Sequence, residues 1–141
     1  MGKLVAKQSI EINAPISKVW DALVNPRIIK EYMFGTDAVS DWKKGSPLIF
    51  RGEWQGKKYE DKGIILAIEK EKTLKYTYFS SMSGLPDKPE NYAVITLEVS
   101  HAKSYVVLSL SQDNIVTEQA REHSEKNWKM VLETIKTIIE K

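Results

Sequence analysis

The chain contains no cysteine in its 141 residues. That excludes disulfides, thiolate metal sites and cysteine nucleophiles, and it suits a reducing compartment. Histidine is scarce as well: His101, read as part of a turn, and His123, read on the outer side of a helix, are the only two. Neither has a partner at metal spacing such as His-Glu-x-x-His, so neither a metal site nor a cofactor is expected. The sequence also lacks a G-x-S-x-G elbow, a phosphate loop and a G-x-G-x-x-G fingerprint, and no catalytic residue is assigned. No apolar run is long enough for a signal peptide or a membrane span, and Ala6 stands where myristoylation wants Ser or Thr. Charge of one sign is missing too. With 21 basic and 19 acidic residues the formal net charge is +2, a balance that favours neither nucleic acid nor an anionic membrane. The expectation is a cytoplasmic chain forming a single domain over residues 1–141, long enough to bury roughly two-thirds of its unfolded surface.

What is present is a change of hydrophobic period. Residues 4–13 alternate as a strand, with Ile10 and Ile12 against Glu11 and Asn13. Pro15 suits the first turn of a helix, capped by Asn13 or Ala14, in which Ile16, Val19, Trp20 and Leu23 form one apolar face. Asn25-Pro26 then reads as a cap plus a first residue, starting a short second helix from Arg27 to about Met33 that ends near Gly35. From Thr36 to Gln112 the period becomes two, broken by turn-like segments at 42–45, 55–58 and 69–72. Leu48, Phe50, Gly52 and Trp54 share one strand face; so do Leu74, Tyr76 and Tyr78, and so do Ala93, Ile95, Leu97 and Val99. The run from Ile64 to Ile68 is apolar on both faces and has no orientation from sequence. Short turns between strands imply an antiparallel sheet. The fold class is therefore α+β: about seven strands, two short helices after the first strand, and a long C-terminal helix from about Val116 to Glu140.

That last helix changes character along its length. Trp128, Val131, Leu132, Ile135, Ile138 and Ile139 make a bulky apolar stripe, yet the same face continued backwards reads Ser124, Arg121, Ala120 and Thr117. A helix packed flush on a dry core fills its contact face with large side chains. Two readings follow: the first half of the helix overhangs into solvent, or those four residues line the mouth of a cavity. In the second reading Phe50, Trp54, Tyr76 and Tyr78 form the cavity wall. Arg121 would then need an anionic or carbonyl partner. Arg51 and Glu53 read as solvated ion-pair residues, and Glu60 and Asp61, being adjacent on a strand, face opposite ways. The segment 80–89 reads as a loop, with Met82 and Leu85 placed to cover an entrance.

The stretch INAPISKVWDAL, with Ala14-Pro15, Val19-Trp20, Asn25-Pro26 and then Tyr32, resembles the opening of the START-like or SRPBCC superfamily. Within it the chain is most similar to the homologues of the heat-shock-protein-90 ATPase activator. Gly63 before an aliphatic run, Leu74-Lys75-Tyr76-Thr77-Tyr78, and Trp128 followed by Leu132, Ile135 and Ile139 extend the resemblance over the whole chain. It departs at Asn127, where many relatives have Gly, and at Tyr32, where Trp is frequent. The resemblance implies a Bet v 1-like helix-grip fold, a sheet gripping the C-terminal helix around a cavity, closed at one end by the paired short helices.

Three functions compete. The leading one is non-enzymatic binding of a small hydrophobic molecule, lipid-like or polycyclic aromatic, at Phe50, Trp54, Tyr76, Tyr78, Thr117, Ala120, Arg121 and Ser124. The resemblance also implies a chaperone partner whose ATPase the chain stimulates, and at family level a role in stress. The third, a polyketide cyclase- or lyase-like enzyme, needs an acid or base placed in the pocket.

Overall fold

A computed structural model describes residues 2–81 and 83–141, the side chain of Trp54 excepted. In chain order the elements are β1 (Leu4–Ile12), α1 (Ile16–Val24), α2 (Pro26–Tyr32), β2 (Asp37–Ser40), β3 (Pro47–Trp54), β4 (Lys57–Glu69), β5 (Thr73–Tyr78), β6 (Ala93–Ala102), β7 (Tyr105–Ile115) and α3 (Glu118–Ile139). The seven strands form one antiparallel sheet in the order β1-β7-β6-β5-β4-β3-β2. The helix-grip architecture is thus present: a meander from β2 to β7, closed by β1, with α3 laid over one face.

Local chemistry explains most of the joints. Asn25 caps α2, its side chain accepting the Arg27 N–H at 3.0 Å, with Pro26 first in the helix where its absent N–H is not missed. The cap of α1 is Pro15 itself rather than Asn13 or Ala14, and no side chain caps it. The β3–β4 hairpin turns at Gln55 and Gly56, whose φ values of 50° and 78° match the twist of a two-residue turn. His101 lies inside β6, opposite Val106, and not in a turn, because the hairpin to β7 closes two residues later.

Inward-facing residues form the core: Leu48 and Phe50 of β3, Leu74 and Tyr76 of β5, Ile95, Leu97 and Val99 of β6, and Val106, Leu108 and Leu110 of β7. The apolar run in β4 is now oriented. Ile65 points inward and Ile64 and Leu66 outward, and a bulge between Ile65 and Ala67 then shifts the register so that Ile68 also packs against the core. On α3, Leu132, Ile135 and Ile139 are buried, flanked by Trp128, Val131 and Ile138.

Strand β1 would present an open edge, but α3 runs along it. Glu125 accepts the Lys7 N–H at 3.1 Å, Glu140 accepts the Asn13 N–H at 2.7 Å, and Lys136 donates to the Glu11 carbonyl at 2.6 Å. Helix side chains thus occupy the Lys7 N–H, the Glu11 carbonyl and the Asn13 N–H, backbone groups that would otherwise invite strand addition. At the far end, β2 is only four residues long. Among the described residues no helix is long and apolar enough to cross a membrane.

Candidate functional site

The C-terminal half of α3 seats closely on the sheet. Beneath Val131, Leu132 and Ile135 the residual space is about 20 Å³, room for about one water. Past Trp128 the helix no longer fills the grip. There a partly open cavity of about 480 Å³ lies between the strands and the turn that follows α2.

Its apolar side is built by strand alternation. Phe50, Tyr76, Tyr78 and Ile95 face inward from β3, β5 and β6. Phe50 lies 6.0 Å, ring centre to ring centre, from both Tyr76 and Tyr78, tilted against the first and edge-on to the second, the separations at which aromatic pairs attract. Trp128 supplies the helix side; its indole N–H donates to Gln112 at 2.7 Å, which fixes the ring. At the mouth, left-handed residues Phe34 and Gly35 (φ 54° and 95°) turn the chain out of α2 and leave Phe34 68% exposed. An exposed phenylalanine beside an apolar hollow extends the surface offered to a guest.

The polar side comes from two neighbouring elements. Asp61 of β4 is buried, 8% exposed. Its Oδ2 accepts the Tyr78 hydroxyl at 2.7 Å, and its Oδ1 accepts the backbone N–H and hydroxyl of Ser81 at 2.8 and 3.0 Å. Burial first, and the Asp61 charge second, push the Tyr78 phenol well above its ordinary range. Burial does the same for Tyr76. Thr36 donates to the Met33 carbonyl at 2.8 Å and lies 2.5 Å from the Tyr59 hydroxyl. Tyr59 can reach Thr36 because Gly52 opposite it has no side chain; a Cβ there would fall 2.3 Å from the phenol oxygen.

The sequence-derived site residues separate into two groups. Phe50, Tyr76 and Tyr78 meet on the cavity wall, whereas the Trp54 side chain lies outside the described residues. The four helix positions are not brought there. Thr117 is the N-cap of α3, its hydroxyl oxygen accepting the Ala120 N–H at 3.1 Å. Thr117 and Ala120 are exposed and border a separate, shallow hollow on the helix surface. Arg121 pairs with Glu118 of its own helix at 2.5 Å. Ser124 is half-buried but not on the wall. The small, polar first half of the helix face therefore reflects capping, helix-surface pairing and solvent, and the boundary sequence placed between bulky and small residues falls at Trp128.

The 80–89 loop is anchored rather than draped over the entrance. Ser81 ties its start to Asp61 on the inner face, while Lys62, the next residue of β4, holds Asp87 at 2.6 Å on the outer face. The Tyr92 hydroxyl also donates to Asp87, and that ring stacks on Phe79 at 5.2 Å. The bonds from Lys62 and Tyr92 hold the Asp87 carboxyl below its ordinary range. Leu85 is exposed and off the cavity wall; Met82 lies outside the described residues. Arg51 pairs with Glu60 at 2.7 Å on the outer face, opposite to Asp61. Asp61, Tyr59, Thr36 and Trp128 were not among the residues expected from sequence. For Asp61 the signal was the step-of-two series Tyr59, Asp61, Gly63, Ile65, available once Ile65 is known to face inward.

Comparison with known proteins places this geometry. A comparison with functionally curated proteins finds no match. Among solved structures, ChR145 from Cytophaga hutchinsonii is 53% identical, with 99% of this chain and 96% of that one covered and a TM-score of 0.88. The Aha1 dimer from Colwellia psychrerythraea is 16% identical over 97% of this chain and 96% of that one, with a TM-score of 0.76. CalU16 from Micromonospora echinospora is 18% identical over 97% and 82%, with a TM-score of 0.73; at these lower identities the likeness is one of fold. Residues 13–140 match the family described as activator of Hsp90 ATPase homolog 1-like protein. The chain belongs to that family, within the START-like superfamily.

Proposed function

We propose that this chain binds a small, largely apolar molecule, lipid-like or polycyclic aromatic, in the cavity beyond Trp128. The observation that carries the reading is the cavity itself. About 480 Å³ of space, walled by Phe50, Tyr76, Tyr78, Ile95 and Trp128 and edged by a few convergent polar groups, has the size and composition of a small-molecule site. Large side chains close the neighbouring part of the grip to about 20 Å³, so the opening is local and not a generally loose core. Titration of flavonoid, sterol and fatty-acid panels, followed by NMR, tests it. Binders will shift resonances of Tyr76, Tyr78 and Trp128 and spare those of the α3 surface around His123. A panel in which no member moves the wall residues refutes the reading.

The family description favours a second reading, stimulation of a chaperone ATPase. Pull-down with the chaperone followed by measurement of ATP turnover separates the two: unchanged turnover removes the second and leaves the first intact.

A further inference from the structure

We infer that the guest of this cavity turns a hydrogen-bond donor, a hydroxyl or a protonated amine, toward Asp61, and that carboxylate-bearing molecules are excluded. The inference rests on the binding reading above and narrows its ligand class. It follows from counting protons on the polar side of the wall. Thr36 has one hydroxyl proton and gives it to the Met33 carbonyl, which can only accept. The short contact between Thr36 and Tyr59 must therefore be donated by Tyr59. The Tyr78 proton goes to Asp61, as do both Ser81 protons. Five donated protons on this side are thus spent within the protein.

What remains to face a guest is a set of acceptors: the Tyr59 phenol oxygen and the Asp61 carboxylate, with Glu53 bordering the same space, while the Tyr78 oxygen already takes a hydrogen bond from Ser80. Among the described residues, no lysine, arginine or histidine lines the cavity. Among them also, the Tyr76 phenol is the wall hydroxyl with no acceptor of its own, and so the donor left for a guest.

A carboxylate entering this space loses its hydration and meets a buried charge of its own sign, with one phenol to donate to it. Uncompensated burial of charge is strongly unfavourable. An alcohol fits both sides, donating to Asp61 or a phenol oxygen and accepting from Tyr76. An ammonium group additionally neutralises a carboxylate that the protein has surrounded with neutral donors only. Fatty-acid anions are thereby set apart from hydroxylated or amino-substituted aromatics and sterols of similar volume.

The test uses three probes on one scaffold: 1-pyrenemethylamine, 1-pyrenemethanol and 1-pyrenecarboxylate, titrated at neutral pH against the full chain and followed by fluorescence anisotropy. The amine and the alcohol are expected to bind at least about tenfold tighter than the carboxylate, and the two arms show whether charge or the donor alone is read. In Asp61→Asn, checked for folding by its melting curve, the gap between amine and carboxylate closes by about tenfold. Carboxylate binding as tight as the alcohol's overturns the inference and leaves the carrier reading standing. So does a folded Asp61→Asn variant that keeps the gap. If that variant does not fold, the order of the three probes on the native chain decides alone. Failure of all three to bind overturns the inference, and the flavonoid, sterol and fatty-acid panel then decides the binding reading separately.

Discussion

Gly63→Ala adds one methyl group where β4 packs directly against the Thr77 backbone of β5. An ideal Cβ at this position would sit 1.6 Å from the Thr77 carbonyl oxygen, a separation that has to widen to at least 3.0 Å. The obstacle is backbone, so no rotamer change relieves it, and the strands must part. Three hydrogen bonds bracket the contact: Lys62 N–H to Phe79 at 3.2 Å, Phe79 N–H to Lys62 at 2.8 Å, and Ile64 N–H to the Thr77 hydroxyl at 2.9 Å. At about 1 kcal/mol each, their loss removes roughly 3 kcal/mol. Alanine restricts the unfolded chain and returns about 0.4–1 kcal/mol. The net destabilisation is about 2–3 kcal/mol, which at about 3 °C per kcal/mol for a chain of this size lowers Tm by roughly 6–9 °C. Urea unfolding followed by tryptophan fluorescence measures it, with the slope m unchanged if the unfolded state is unaltered. A midpoint within about 0.5 kcal/mol of the native chain refutes the argument, since substitutions free of such conflicts fall in that range.

Leu132→Ala, at a side chain only 1% exposed beneath α3, is expected to destabilise by about 2–5 kcal/mol in the same unfolding assay. Thr117→Ala removes the cap of α3 and is expected to lower stability by about 1 kcal/mol, read from the shift in urea midpoint. The buried phenols of Tyr32, Tyr76 and Tyr78 are all raised above their ordinary value of 10.0, chiefly by burial. Because the folded state holds these protons more tightly, their contribution is fully present below pH 10 and is lost as pH rises further, each phenol adding about 1.4 kcal/mol of destabilisation per pH unit. Stability measured from pH 9 to 11.5 must fall steeply above 10, and a flat profile contradicts the burial of these rings.

The fold was readable because its signals are local. Asn25-Pro26 can hardly be anything but a cap and first turn, and the Leu74, Tyr76, Tyr78 alternation fixes an inward strand face without knowledge of its partners. Three of the lining residues, Phe50, Tyr76 and Tyr78, followed from that alternation. The polar side did not. Asp61 sits beside an apolar run whose phase is shifted by the bulge after Ile65, and a bulge leaves no mark in a hydrophobicity pattern. Thr36 and Tyr59 are 23 positions apart and meet only because Gly52 leaves space between strands. The helix positions Thr117, Ala120, Arg121 and Ser124 share an angular face with Leu132. Angle alone does not say where along its axis a helix leaves the sheet, which is set by tertiary packing.

The pairing of β1 with β7 joins residues 4–12 to residues 105–115, and the cover on the other side of β1 comes from α3, later still. During synthesis the first strand therefore emerges with neither neighbour yet made. The hairpins from β2 to β7 assemble from adjacent segments and can form while it waits. Closing the two ends of the chain is the long-range step, one that pays a large loop-closure entropy before it returns any contact. Until it happens the leading segment is an unpaired strand in need of shelter. Vectorial folding of this fold thus finishes at the strand it makes first.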